Sequence, residues 1–478
     1  MNQPWNSSEY NRRDFLKGTT SFAAMMSLLG AIPIRAADEK PAEVPVNKAV
    51  EEPLSFGVIG CGRWGREIIQ ALSRRPNAPI MAVCDTYKPF LNRVKDLAPK
   101  AEPVSDYKQV LANKAVQAVV VATPSHLHKA IVLDALKAGK HVYCEAPMAT
   151  TIEDAQAIAQ AARAALKVNF QVGLQYRSDP QLLHLANFIR TGVMGKNVKA
   201  RSQWHKKQQW RVTSPNPDRE KEANWRLDRE ISLGLIGELG IHQMDLASWY
   251  FNARPKAITG FGSLIQWTDD GRDMPDTVQV VIEYPGGASH SVEVTIANSF
   301  DSEYDIFYGS DSAIMVRDRH AWMFKESDAQ LLGWEVYARK ESFFKESGIV
   351  LGADATKLSA ADKKAATAAT GANVATTTNT APGAASAPVT EESALSYSLQ
   401  RFITNSLLVG TGVEDFVSSF GDSDMKALQE YLDGLSKSRV PAAGWKEGYA
   451  SAVLAIKANE AISKKQRVVL DKALFELA

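Results

Sequence analysis

The chain has 478 residues, 45% of them hydrophobic, which is apolar content enough for more than one core and excludes a fibrous or largely disordered protein. Its 55 basic and 54 acidic side chains leave a net charge of +1. That balance provides no general field for a phosphate backbone, so nucleic acid is excluded as an expected partner.

Residues 1–37 read as an export signal. Paired arginines in "NRRDFLKG" precede the apolar-to-small run "TTSFAAMMSLLGAIPI" and a small-residue exit "RAA". The order from Arg12 to Lys17 is similar to the twin-arginine signal, which passes folded proteins out of the bacterial cytoplasm, so a periplasmic or extracytoplasmic location is expected. The run is short for a span, and no stable membrane span is expected once the signal is cleaved. Residues 38–53, charged and proline-bearing, read as a linker. The odd set Cys61, Cys84 and Cys144 lies on or beside apolar runs and is expected to be buried thiols, not a disulfide framework.

From residue 54 to 175, short apolar runs ("LSFGVIGCG", "PIMAVCD", "VQAVVVATP", "HVYCEAP") alternate with amphipathic stretches. Strands alternating with helices predict a doubly wound parallel sheet, the α/β class. Residues 176–351 change texture: helical "PQLLHLANFIRTG" and "GELGIHQMDLASWYF" give way to alternating runs, including "VQVVIEYPGGASHSVEVTI", a hairpin centred on Gly286 and Gly287. An α+β C-terminal domain with an open, mostly antiparallel sheet is expected, one face being left for a ligand or another subunit. The Ala/Thr-rich residues 352–395 read as a disordered insertion, and residues 396–478 as the remainder of the C-terminal domain.

In "GVIGCGRWG", Gly60, Gly62 and Gly65 follow a strand and precede a helix, and Asp85 ends the next strand. Gly60 permits the tight turn, Gly62 the approach of a pyrophosphate, Gly65 close helix packing, and the helix N-terminus offers N–H groups to the phosphates. Arg63 and Trp64 lie within the same turn. Asp85 should accept from ribose hydroxyls and repel a 2′-phosphate, so NAD is expected rather than NADP, with Lys88 as the opposing charge. Thr123, Pro124, Ser125 and His128 of "ATPSHLH", and Glu145 of "HVYCEAP", reach the carboxyl edge where ligands bind. His126 is read as a helix-entry residue without chemistry.

Together, "GVIGCGRWG", "ATPSHLH", "CEAP" and "GLIGELGIHQMDLASWY" resemble the Gfo/Idh/MocA family of glucose-fructose oxidoreductase and inositol dehydrogenase. The resemblance implies a Rossmann domain bearing NAD(P), and a C-terminal sheet that shapes a carbohydrate pocket and often packs against another subunit; a homo-oligomer is therefore expected. It also implies a lysine between the Glu and the Pro of the strand-end motif, where this chain has Ala146. The family's second motif falls on Glu238 and His242. Read as one helix, Glu238, His242, Asp245 and Trp249 form a polar stripe. His242 is then the expected proton acceptor in place of lysine, with Glu238 orienting it or holding a neighbouring hydroxyl. Asp245 and Tyr176 are expected at the substrate, and Trp225 and Arg226 match a family position near the nicotinamide. A metal at Glu238, His242 and Asp245 is geometrically possible but lacks a completing ligand, and none is expected. The expected activity is oxidation of a sugar-type secondary alcohol with tightly held, recycled cofactor. The alternatives are an NAD-dependent glycosidase working by transient oxidation and elimination, and a non-catalytic NAD-containing carbohydrate-binding protein.

Overall fold

The computed structural model describes residues 53–318, 320–336, 338–343, 346–352 and 392–477. The expected export signal, nearly all of the linker and most of the Ala/Thr-rich insertion lie outside the described residues. Among them no helix is long and apolar enough to cross a membrane. The described chain divides into a larger unit (53–179, 198–305, 393–477) and a smaller one (180–197, 306–352, 392).

In the larger unit, β1 (Phe56–Ile59), β2 (Ile80–Cys84), β3 (Glu102–Val104), β4 (Ala118–Val121), β5 (His141–Cys144) and β6 (Phe170–Val172) form a parallel sheet in the order β3-β2-β1-β4-β5-β6. Between them run α1 (Arg63–Ser73), α2 (Lys88–Val94), α3 (Tyr107–Ala112), α4 (His128–Lys137) and α5 (Ile152–Ala164). Every residue of β1 and β4 is buried, as a strand covered on both faces requires. The order reverses between β1 and β4, and the carboxyl ends there form the crevice in which doubly wound sheets bind ligands.

The chain continues through α6 (Pro180–Arg190), β7 (Asn197–His205), α7 (Pro217–Ala223), α8 (Gly234–Glu238), α9 (Ile241–Phe251), β8 (Ala257–Ser263), β9 (Thr277–Glu283), β10 (Ser289–Thr295) and β11 (Glu303–Gly309). It then forms β12 (Ser312–Arg317), β13 (His320–Lys325), β14 (Lys340–Phe343), β15 (Glu346–Leu351), α10 (Ala394–Phe420), α11 (Met425–Leu435), α12 (Trp445–Lys464) and β16 (Val468–Val469). Within the larger unit the second sheet runs β16-β8-β9-β10-β7, all pairs antiparallel except β10 with β7. β9 and β10 are the expected hairpin, with Gly286 (φ 78°) and Gly287 (φ 89°) in left-handed backbone at its turn. The smaller unit holds α6 and the antiparallel strands β12-β13-β15-β14.

Two features differ from the sequence reading. The segment 396–478 does not simply complete the C-terminal domain. Leu395, Leu399, Phe402 and Ile403 of α10 enter the core over the parallel sheet, where the Phe402 ring meets Tyr143 edge-on at 5.6 Å and Phe56 at 6.0 Å. Burying each such side chain contributes about 1.5–3 kcal/mol, and a helix remote in sequence thereby becomes part of the dinucleotide-binding half. Second, "GELGIHQMDLASWYF" is two helices. Leu239 leaves helical geometry (φ −124°, ψ −56°), separating α8 from α9, so Glu238 and His242 do not share one stripe. All three cysteines are buried free thiols.

Candidate active site

The glycine turn is sterically dictated. Gly60 stands at φ 100°, and a Cβ there would lie 2.5 Å from the Ala122 carbonyl oxygen. At Gly65 a Cβ would come within 1.9 Å of the Gly60 oxygen, so only glycine lets α1 start this close to the strand. Gly62 differs: a Cβ there meets nothing within 4 Å, which leaves the backbone open on the side from which a pyrophosphate approaches. No side chain caps α1, so its first N–H groups are left for an anion.

Asp85, at the end of β2, accepts from the backbone N–H of Cys61 and of Tyr87, both at 2.8 Å. Burial raises its carboxyl, and these two bonds oppose the rise. Each oxygen keeps lone-pair capacity for a hydroxyl. At the opposite side of the crevice, Thr123 Oγ1 and Glu145 Oε1 are buried with no partner. An open glycine turn, an acid at the end of β2 and two unpaired oxygens at the nicotinamide end fit a dinucleotide.

Glu145 follows β5. Burial pushes its carboxyl up to about 7, while the indole of Trp64, on the first turn of α1, hydrogen-bonds it and favours the charged form. Gly173 admits it: a Cβ there would sit 2.5 Å from Glu145 Oε2. The Ala146–Pro147 bond is cis. His128 is a correction. Its ring nitrogens stand 3.1 Å from the Pro147 carbonyl and 2.9 Å from the Thr123 carbonyl, and complete burial pushes it down to about 4. A neutral ring donates to only one of these carbonyls at a time, and both of its nitrogens lie against the chain's own backbone.

Ser125 Oγ donates to Glu238 Oε1 at 2.9 Å, and Arg226 Nε to Glu238 Oε2 at 3.3 Å. The Arg226 guanidinium lies over Trp225 at 4.5 Å, and Trp225 meets His126 edge-on at 5.9 Å. Glu238 therefore links the crevice loop to the Trp225–Arg226 turn and does not orient His242, a second correction. It follows from the break between α8 and α9, which turns the two side chains to different neighbours.

His242 instead meets Tyr176, with ring centroids 5.6 Å apart. Its Nδ1 is sheltered and unpartnered, and desolvation pushes the imidazole down to about 4 against the pull of Asp245, so it is neutral near pH 7. The Tyr176 hydroxyl donates to Glu303 Oε1, which also receives Gln243 Nε2 at 3.0 Å. Asp245 is the third correction. Arg177 grips its two oxygens at 2.8 and 2.9 Å and Ser451 adds a bond of 2.7 Å, so this carboxylate is a packing element under α9 and not a substrate ligand. Glu303, Gln243 and Gly173 were not singled out in the sequence. Glu303 lies 127 residues from the tyrosine it holds, and no local pattern announces such a pairing.

The open glycine turn before α1 and the acid at the end of β2 are the dinucleotide site of a Rossmann-type protein. The profile described as "Oxidoreductase family, NAD-binding Rossmann fold" matches residues 54–174, and "GFO/IDH/MocA C-terminal domain" matches 182–314, together more than half of the chain. The protein belongs to the Gfo/Idh/MocA family of NAD-binding oxidoreductases. It is 26% identical over 267 residues to the 2,7-anhydro-N-acetylneuraminate hydratase of Escherichia coli K12, covering 55% of this chain and 67% of the relative. It is also 26% identical over 295 residues to the levoglucosan dehydrogenase of Pseudarthrobacter phenanthrenivorans, covering 55% and 73%. Among solved structures, levoglucosan dehydrogenase in complex with NADH superposes with a TM-score of 0.60 at 19% identity, covering 88% of this chain and all of that one. An oxidoreductase domain protein from Kribbella flavida gives 0.62 at 18%, with the same coverage. Both share the fold.

Proposed function

We propose that the protein oxidises a secondary alcohol of a sugar or sugar derivative, with His242 receiving the hydroxyl proton. The observation that carries this is the placement of His242 beside Tyr176, in a chain with Ala146 where the family resemblance implies a lysine. NAD, when bound, supplies the hydride acceptor. Gly60, Gly62 and Gly65 would hold its pyrophosphate, Asp85 its adenosine ribose, and Thr123 and Glu145 its nicotinamide end. Trp225 and Arg226, braced through Glu238 and Ser125, wall the crevice. The similarity to levoglucosan and inositol dehydrogenases supports a carbohydrate alcohol as substrate. Single-turnover reduction of bound NAD tests the assignment. His242→Ala should slow it by about 10²–10⁴-fold, and an unchanged rate removes His242 from the role.

A second reading is supported by the similarity to a hydratase: oxidation at one carbon, elimination at its neighbour, and return of the hydride. Here too the chain's own task is to move a proton. Turnover in deuterated water separates the readings, because only elimination incorporates deuterium next to the transient ketone.

The arginine pair at Arg12 and Arg13 supports export by the twin-arginine route, which would allow folding around the cofactor inside the cell. In an exported enzyme free NAD is scarce, so we read the cofactor as retained and recycled. Mass spectrometry of cofactor released from protein purified from its native host checks this. Self-association, expected from the open sheet, is checked by sedimentation.

A further inference from the structure

Residues 206–224 have no part in the reaction proposed above, yet they touch the dinucleotide crevice at three separate places. Arg63 Nη1, in the glycine turn, donates to Gln208 Oε1 at 3.2 Å. The Tyr87 hydroxyl and Ser214 Oγ are 3.4 Å apart, and Arg219 Nη1 donates to Thr86 Oγ1 at 3.3 Å. Thr86 and Tyr87 directly follow Asp85, and Arg219 lowers the Asp85 carboxyl against the larger effect of burial. The segment thus runs from the turn that takes the pyrophosphate to the strand end that takes the adenosine ribose.

The rest of the segment is built to hold that path. It leaves β7 by pairing with the end of β10, with Lys206 N–H to the Thr295 carbonyl and Gln208 N–H to the Ile296 carbonyl, both at 3.1 Å. Arg211 is clasped by Glu220 and the Asp270 carbonyl, and Asp270 is itself locked to Arg272 in a buried ion pair. The Asn224 side chain closes the loop on both the N–H and the carbonyl of Val212, at 2.7 and 2.8 Å. Asn216 caps α7 and so presents Arg219 on its first turn.

From this we infer that residues 206–224 are a strap retaining the adenosine half of NAD, with Arg219 as the positioning residue at its far end. The inference rests on the reading that the cofactor is retained, and the two fail separately. The strap gives that retention a cause inside one chain: NAD leaves only after the contacts at Arg63, Thr86 and Tyr87 open.

The test is exchange. Holoprotein is mixed with excess isotopically labelled NAD, and loss of the unlabelled cofactor is followed by mass spectrometry. The triple variant Gln208→Ala, Ser214→Ala, Arg219→Ala should exchange at least tenfold faster than the native chain with its unfolding midpoint kept, and Arg219→Lys should recover part of the difference. As a measurement independent of any variant, NAD should protect the native chain from trypsin at Lys206, Lys207, Arg211, Arg219 and Lys221. Equal exchange rates in native and triple-variant protein, or cleavage there indifferent to NAD, overturn the strap. Fast exchange in the native chain that the triple variant speeds further refutes retention while leaving the strap in place.

Discussion

The ring centroids of Tyr176 and His242 lie 5.6 Å apart with the rings tilted at 54°, and the tyrosine hydroxyl is committed to Glu303, not to the histidine. The tyrosine is therefore a wall and an anchor for the imidazole. Tyr176→Phe should keep the ring contact but remove one donor from a partly buried carboxylate, costing about 1–3 kcal/mol of stability. Turnover should fall more than affinity as Gln243 and His242 relax. Chemical denaturation and steady-state kinetics on the same preparation check both halves.

Asp245 and Arg177 form an ion pair whose side chains are 4% and 18% exposed. Removing one partner of such a pair leaves a buried charge, so Asp245→Ala should lose about 3–5 kcal/mol in denaturant unfolding. Asp245→Asn should lose less, since an amide oxygen still accepts one bond. A variant of full stability with only its substrate KM raised would return Asp245 to the substrate.

The glycines of the turn should separate by function. Gly65→Ala puts a Cβ on the Gly60 oxygen and should prevent correct folding of the dinucleotide-binding half, visible in circular dichroism. Gly62→Ala meets no protein atom and should fold with an unchanged midpoint while binding NAD at least tenfold more weakly, read by titration calorimetry.

Stability should pass through a maximum with pH. Burial holds His128, His141 and His242 at about 4 and His290 at about 3, below the ordinary 6.5, so the unfolded chain binds more protons across that interval and these four histidines push stability up with pH to about 6.5, outweighing two carboxyls that act the other way. Glu145, raised by burial from 4.5 to about 7, and Asp305, raised from 3.8 to about 8, hold extra protons in the native state across those intervals and pull stability down with pH, and above about 6.5 only this fall remains. Asp305→Asn, which stays neutral, should flatten the fall above pH 6.5 in thermal unfolding curves.

Much of the cofactor site was legible because it is local. Gly60, Gly62, Gly65 and Asp85 lie within one strand-helix-strand unit, and their spacing is set by backbone geometry. The substrate side was legible only as a set of candidates. Periodicity placed Glu238, His242 and Asp245 on one stripe, but Leu239 breaks the helix between the first two. His128, Glu238 and Asp245 each found partners from elsewhere in the chain: the carbonyls of Thr123 and Pro147, Ser125 with Arg226, and Arg177 with Ser451.

By itself the sequence determined the parallel sheet and the turn that receives a dinucleotide, since each depends on residue type and short spacing. Tertiary structure alone decided that α10 covers the parallel sheet, that Glu303 holds Tyr176 beside His242, and that residues 206–224 reach Arg63, Thr86 and Tyr87. Those contacts join residues remote in sequence, and a buried polar group takes whatever partner the packing brings within hydrogen-bond distance.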